Sequence, residues 1–169
     1  VRDLAPGSLQ MRLQEPGDLD GRHADETVNY AVVEAGTWVL PDGRLLEAGT
    51  VETDLLTSAG FEEVVFDAPF AAAPAVLSQV QTYAGRDFVV TRQREGAADG
   101  FRMAMEEEEA LNGGDRRVET LGWVAIEGGI GAFGDVVLAA GSAADVDDGG
   151  ADVPLPGALS DGASAIAQV

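Results

Sequence analysis

Acidic side chains dominate the residues of this sequence that can do chemistry. The run EEEE at 106–109 is followed, across the loop LNGGDRR, by Asp115 and Glu119. If the run is part of a strand, Glu107 and Glu109 project from the same face. These four side chains, Glu107, Glu109, Asp115 and Glu119, are candidate ligands for Ca²⁺, which prefers carboxylate and carbonyl oxygens. A solvated strand edge that resists aggregation explains the same run without a metal.

A second acidic segment, DVDDGG at 145–150, also has the composition of a calcium loop. Asp145 and Asp147 alternate before glycine, a pattern that can wrap a hard cation. The glutamate that an EF-hand requires downstream is missing at its spacing, so an EF-hand is excluded. An ordinary acidic hairpin loop is the alternative interpretation.

Catalytic groups are scarce. The chain has no cysteine and one histidine, His23, which lies in DGRHADET and is predicted to be an exposed loop residue. A serine nucleophile would need a nearby base, and no glycine loop of the phosphate-binding kind is present. The sequence therefore predicts a protein that is not an enzyme.

Aromatic side chains are the other candidates for ligand contact. Tyr83, in VQTYAGRD beside a glycine, is predicted to be exposed and to contact a ligand. Trp123 lies in an apolar alternation, which predicts core packing. Trp38, in GTWVLPDG, is predicted to pack at a junction between repeated units.

The charge balance limits the partners. Thirty acids oppose ten bases, all of them arginine, for a net charge of −20. Such a chain repels nucleic-acid phosphates and anionic membrane surfaces, and it attracts divalent cations and stays soluble in salt. No apolar run approaches the length that spans a bilayer. We therefore expect no nucleic-acid partner and no membrane insertion.

The chain repeats itself. The string ETVNYAVVEAG at 26–36 returns as ETLGWVAIEGG at 119–129, with Tyr30 in the place of Trp123. Weaker similarities, such as EAGT at 47–50 with AAGS at 139–142, extend the match. Together they predict a tandem repeat with a period of about 92 residues.

The repeated unit has the sequence of a β-protein. EEVVFDA, AVLSQVQT, DFVVTRQR, GFRMAME and TLGWVAIE are short, β-branched or aromatic and roughly alternating, and turn residues separate them. Apolar residues on both faces of TLGWVAIE predict a strand buried between layers. The sequence therefore predicts an all-β fold, an antiparallel β-sandwich with about six strands per unit.

The repeat divides the chain into three parts. Residues 1–35 are the C-terminal part of one unit, 36–129 are a complete sandwich, and 130–169 begin a further, degenerate unit. The two incomplete ends either complete one another, within or between chains, or belong to tandem neighbours.

Three strings within residues 60–127 resemble a known family. VVFDAPFAAAPAVLSQVQT, DFVVTRQREGAADGFRMAM and TLGWVAIE are similar to the H-type lectin domain of snail agglutinins and to the discoidin C-terminal domain. The resemblance implies a six-stranded sandwich, often a trimer, that binds N-acetylgalactosamine or related sugars at subunit edges. The string EEEEALNGG followed by ET and WxAIE also resembles tandem modules of large, secreted, calcium-dependent bacterial proteins.

The resemblance also implies a sugar site. Arg92 occupies the position of a family arginine on the strand before the GF strand, where it would donate to sugar hydroxyls. The family's sugar-stacking aromatic falls within the EEEE run, so Glu106 and Glu108 would accept from hydroxyls instead. Arg92, Tyr83, Glu106 and Glu108 are thus the predicted carbohydrate-binding residues.

The sequence predicts a non-catalytic carbohydrate-binding or adhesion module, assisted by Ca²⁺, of an extracellular or cell-surface bacterial protein. Its predicted partners are a glycan or polysaccharide and either further copies of itself or tandem neighbours. The alternative is a structural spacer or self-assembling surface subunit with no sugar ligand.

Overall fold

The computed structural model describes residues 2–13, 24–108, 117–144, 146, 149, 152–155 and 159. These parts of the chain contain eleven β-strands and no helix. The strands are β1 Arg2–Ala5, β2 Ser8–Gln10, β3 Gly36–Val39, β4 Leu45–Thr53, β5 Glu62–Val65, β6 Ala75–Val80, β7 Val89–Arg94, β8 Gly100–Glu107, β9 Glu119–Ile126, β10 Gly129–Phe133 and β11 Val136–Ala140.

Seven of these strands form the sandwich. One sheet has the order β3-β4-β9-β6, the other has the order β5-β8-β7, and neighbouring strands are antiparallel in both. The predicted all-β antiparallel sandwich is confirmed, and β5 to β9 fall on the five predicted strand sequences. Residues 36–129 hold seven strands before β10 instead of about six, because GTWV and LLEAGTVET, which lie outside the five predicted strand sequences, also form strands, the edge strand β3 and its neighbour β4.

The core lies between the two sheets and is built around four aromatic rings. Phe66 lies 4.8 Å from Phe70, 5.7 Å from Phe101 and 5.8 Å from Trp123, measured between ring centroids. Met103 and Leu121 are completely buried beside them. Phe70 comes from the proline-bracketed connector between β5 and β6, so that connector contributes to the core as well as turning the chain.

Strand β9 is the centre of its sheet, between β4 and β6. Its core face carries Leu121, Trp123 and Ala125, all buried. On the other face Val124 and Ile126 are only half-buried. The prediction that β9 is buried between layers is therefore wrong for its outer face, because no third layer covers this sheet in the described part of the chain.

A polar cluster joins the two sheets on their β6–β7 side. The buried Ser78 hydroxyl donates to Thr91 Oγ1 at 2.8 Å, and Gln93 donates through Nε2 to Ser78 Oγ at 2.8 Å. Buried polar groups are costly unless they are hydrogen-bonded, so this pairing fixes how β7 lies over β6. The cluster thereby positions the loop 81–88, which connects the two strands.

Two small hairpins flank the sandwich sequence, β1–β2 before it and β10–β11 after it. The second hairpin has the same register as β3–β4. Gly129 is opposite Ala140 in the second hairpin, as Gly36 is opposite Ala48 in the first. The two registers agree at all four pairs of β3–β4, so the hairpins are equivalent in pairing as well as in sequence.

Arg44, in the turn after β3, joins the second hairpin to the sandwich. Its guanidinium donates to the carbonyl oxygens of Gly129 and Leu138, at 3.0 Å each, and pairs with Asp42 at 2.9 Å. The hydrogen bonds and charge of Arg44 lower the pKa of the Asp42 carboxyl below its usual value.

The segment ETVNYAVVE, at 26–34, does not repeat the structure of β9. Residues 24–34 form no strand, and Tyr30, the counterpart of the buried Trp123, is 67% exposed. The repeat predicts that residues 26–34 form a core strand like β9, and this prediction is wrong for a single copy of the chain. The reason is that β9 is held by hydrogen bonds to β4 and β6, whereas segment 26–34 has no strand on either side within the described residues.

Candidate functional site

One end of the sandwich brings together two of the predicted site residues, Glu107 and Glu119. The loop 81–88, the end of β8 and the start of β9 meet there around a small pocket, which we call the loop-end pocket. It is lined by Leu56, Gly85, Asp87, Val89, Met105, Glu107, Arg117 and Glu119. Three carboxylates and one guanidinium therefore border an apolar floor.

Glu119 holds the loop in place. This buried residue begins β9, and its Oε1 accepts hydrogen bonds from the backbone N–H groups of Ala84 at 2.8 Å and Gly85 at 2.7 Å. Its Oε2 accepts a hydrogen bond from the Thr82 hydroxyl. Thr82 Oγ1 in turn accepts from the N–H of Thr120 at 2.8 Å. The carboxylate that the sequence proposed as a metal ligand is thus a buried anchor for residues 82–85.

The predicted calcium ligands are only partly covered by the structure. Glu107 and Glu119 line the same pocket, as their predicted joint role requires. Within the described part of the chain, no group of three acidic or histidine side chains is arranged to hold a metal ion. The remaining predicted ligands, which lie outside the described residues, are Glu109, Asp115, Asp145 and Asp147. His23 also lies outside the described residues. The calcium site stays a prediction.

Arg92 and Glu106 form an ion pair. Arg92 Nε contacts Glu106 Oε2 across β7 and β8, on the outer face of the three-stranded sheet. The two side chains are 37% and 40% exposed, so both also reach solvent. Glu108 follows the end of β8, and its N–H donates to the carbonyl of Phe88 at 3.3 Å, which ties the strand end to loop 81–88.

The same outer face carries residues that the sequence reasoning missed. Arg94 and Arg102 both contact the carboxylate of Glu95, at 3.3 and 3.2 Å. The guanidinium of Arg94 also lies 3.9 Å from the ring centroid of Phe61, a cation–π contact. Because Arg92 and Arg94 are two residues apart in a strand, the alternation rule could have placed both on one face.

Tyr83 is half-buried instead of fully exposed. The guanidinium of Arg12 lies 4.1 Å from its ring centroid, and the tyrosine hydroxyl is 3.5 Å from the carbonyl oxygen of Arg86. The residues after β2 therefore cover one face of the ring. No local pattern in the sequence indicates this contact, because the two residues lie far apart in the chain.

The predicted core position of Trp123 is confirmed, whereas the role of Trp38 at a junction between repeated units stays a prediction. Trp123 packs in the core and is not available to a ligand. Trp38 is 43% exposed and donates from Nε1 to the carbonyl of Glu34 at 3.1 Å, where segment 26–34 enters the sandwich.

Aspartate and arginine residues extend the loop-end pocket beyond the predicted set. Asp87 and Arg117 line it, and neither was singled out from the sequence. They belong to segments of mixed polarity, and only the fold brings them next to Glu107. Such a mixture of carboxylates and guanidiniums can accept from and donate to the hydroxyls of a polyol.

Comparison with known proteins gives one informative similarity. The chain is 30% identical over 151 residues to Halomucin of Haloquadratum walsbyi. This match covers 88% of the chain but only 2% of Halomucin, so the chain corresponds to a small part of a very large protein. No protein-family model matches the chain, and no solved structure matches it. In the described residues no helix is long and apolar enough to cross a membrane.

Proposed function

We propose that this chain is a non-catalytic module of a large extracellular or surface protein and that it binds carbohydrate at the loop-end pocket. The observation that carries the proposal is the convergence of Asp87, Glu107 and Arg117, from three segments, on one small pocket with an apolar floor. Carboxylates and guanidiniums are the groups that hydrogen-bond adjacent sugar hydroxyls. The pocket itself has room for about one water molecule, so these side chains would hold a sugar at the mouth of the pocket and not inside it.

Two observations support the surface location. The name Halomucin indicates a mucin of a salt-living organism, and a mucin lies outside the cell. The chain has a net charge of −20 and no lysine, a composition that keeps a protein soluble in concentrated salt. Because the match covers 2% of Halomucin, the proposed module is one small part of its parent protein.

The finer features follow from the resemblance to H-type lectin domains. They are a galactosamine-type sugar, contacts from Arg92, Glu106 and Glu108, and assembly into trimers. A contact from Tyr83 follows from its place beside a glycine turn, and Ca²⁺ held by carboxylates near the pocket follows from the acidic segments. In the described structure Arg92 and Tyr83 have partners of their own, Glu106 and Arg12. A sugar would therefore have to share or displace these contacts.

The test is a glycan-array screen of the chain, run with Ca²⁺ and with a chelator. We expect binding, and we expect Glu107→Gln to reduce it because that carboxylate lines the pocket. The matched control is Glu52→Gln, an exposed glutamate of β4 in the other sheet. Equal binding by the two variants would remove the pocket from the proposal, and no binding in either condition would overturn carbohydrate binding altogether.

A structural spacer without a sugar ligand is the second candidate. The equal register of hairpins β3–β4 and β10–β11 favours it, because it suggests units that follow one another at a fixed spacing. A spacer would bind no glycan on the array in either condition, and its units would still follow one another by strand pairing.

A further inference from the structure

Two segments have the sequence of paired strands but lack a neighbouring strand among the described residues, residues 27–34 on both sides and β11 on one side. Segment 26–34 matches the closing strand β9, yet its apolar residues Val28, Tyr30 and Val32 are 41%, 67% and 56% exposed. Strand β11 pairs with β10 on one side, and no described strand pairs with its other edge. Exposed apolar strands with a free edge are templates for pairing with another chain.

The complete sandwich shows how these two segments would fit together. Hairpin β10–β11 has the register of β3–β4, so β11 is the counterpart of β4. In the sandwich β4 pairs antiparallel with β9, with Ala48 opposite Val124. The equivalent pairing places Ala140 of β11 opposite Ala31 of the 26–34 segment.

The side chains of the segment also meet the requirements of β9. Val28, Tyr30 and Val32 correspond to Leu121, Trp123 and Ala125, which form the buried face of β9. At the strand end, the Glu127 carboxylate accepts a hydrogen bond from the Leu45 N–H at 2.9 Å, and the Glu127 backbone N–H donates to the Leu45 carbonyl at 2.9 Å. In the proposed pairing Glu34 takes the place of Glu127, and Val137 takes the place of Leu45.

We propose that segment 26–34 of one copy adds as a strand to the free edge of β11 in a second copy of this chain. This inference rests on the repeat organisation proposed above and is independent of carbohydrate binding. In a longer tandem array the edge of β11 would instead pair with the closing strand of the unit that begins with β10.

The geometry of the chain favours a second copy over self-closure. The segment enters the sandwich at Gly36, where β3 begins, whereas Arg44 holds hairpin β10–β11 at the turn after β3 ends. The donor segment therefore precedes the complete sandwich and the acceptor edge follows it, as parts of two different units. A contact between these two different surfaces is head-to-tail and extends into rings or open chains of molecules.

Disulfide trapping tests the register directly, because the wild-type chain has no cysteine. Single variants Ala31→Cys and Ala140→Cys, carrying different tags, are mixed in molar salt, which screens the net charge, and oxidised. Directly opposite residues in an antiparallel pair have Cβ atoms close enough for a disulfide. The control replaces Ala31→Cys with Ala24→Cys, an exposed position just before the matched segment.

We expect the Ala31→Cys mixture to form mixed-tag dimers at several times the yield of the Ala24→Cys mixture. Equal yields overturn the proposal. A double variant that carries both Ala31→Cys and Ala140→Cys should give a ladder of cross-linked multimers. A disulfide formed within one monomer would refute the second copy as the partner. Circular dichroism of each variant establishes that the strands are intact, and the result does not depend on the glycan array.

Solution size provides a second readout without cysteines. The wild-type chain should form oligomers whose size rises with concentration, and Val32→Pro should return it to a monomer because proline cannot complete the strand ladder. Ala24→Pro, outside the matched segment, should leave the oligomers unchanged. Oligomers that persist in Val32→Pro would contradict the proposed donor strand.

Discussion

Truncating Glu119 to alanine tests whether this buried carboxylate is the anchor of loop 82–85. The variant removes three hydrogen bonds, from the N–H groups of Ala84 and Gly85 and from the Thr82 hydroxyl. Hydrogen bonds to a charged acceptor contribute about 1.5–3 kcal/mol each. Because Ala84 is exposed and Gly85 half-buried, water replaces part of this interaction in the variant. We therefore expect a loss of about 2–4 kcal/mol in the free energy of unfolding, below the simple sum.

Urea unfolding followed by tryptophan fluorescence measures this loss, since Trp123 is buried in the core and becomes exposed on unfolding. In a thermal melt the same change lowers Tm by about 5–15 °C for a chain of this length. Glu119→Gln should cost less, because an amide oxygen can still accept from the two loop N–H groups. Glu52→Ala is the matched control, since Glu52 lies on β4 opposite Thr120 but is exposed.

The result also separates the two roles considered for this residue. As a loop anchor, Glu119 stabilises the protein equally in the presence of Ca²⁺ and of a chelator. A loss below about 0.5 kcal/mol, the level of an ordinary surface substitution, would refute the reasoning from burial and hydrogen bonding. A loss that appears only with Ca²⁺ present would instead support the predicted metal ligand.

Three further predictions concern packing, pH and salt. Gly49→Ala should destabilise the fold by about 1–3 kcal/mol, because the added Cβ would lie 2.6 Å from Trp123 Cζ2. The control Gly96→Ala should be nearly neutral, because a Cβ there meets no atom within 4 Å. Equal urea midpoints for the two variants would contradict this prediction. The pKa of Asp42 is lowered in the folded state by Arg44, so its contribution is present above the unfolded pKa, near 3.8, and is lost as pH falls through the lower folded pKa. Asp42→Asn should therefore show a smaller loss of stability on acidification than the wild type, and parallel curves of Tm against pH would refute the pairing. Molar salt should raise Tm because it screens the repulsion of a net charge of −20, and a Tm independent of salt would show that this repulsion is small in the folded state.

Local patterns in the sequence were sufficient for the fold class. Alternating apolar residues and glycine or proline turns predicted β5 to β9, and the core position of Trp123 followed from the alternation in TLGWVAIE. Strands β3 and β4 were not predicted, because GTWV is mostly exposed and LLEAGTVET, which contains a glycine and a buried glutamate, shows little apolar alternation. Strand identity depends on neighbours within a few residues, so a single sequence can carry it.

The candidate site depended on contacts between distant residues. The sequence drew attention to Glu107 and Glu119, but their presence at one pocket with Asp87 and Arg117 follows from how β8, β9 and loop 81–88 meet. Likewise, nothing local distinguishes Glu119, a buried loop anchor, from the acids that precede it. A carboxylate's role is set by which donors surround it, and those donors come from another part of the chain.

The repeat shows the same division between sequence and tertiary structure. The sequence alone shows that ETVNYAVVE is similar to ETLGWVAIE and that both have the alternation of a core strand. Tertiary structure decided that only the second copy is a strand, because β4 and β6 lie on either side of it and supply its hydrogen bonds. A β-strand is completed by its neighbours, and those neighbours are present for residues 119–126 but not, within the described chain, for residues 26–34.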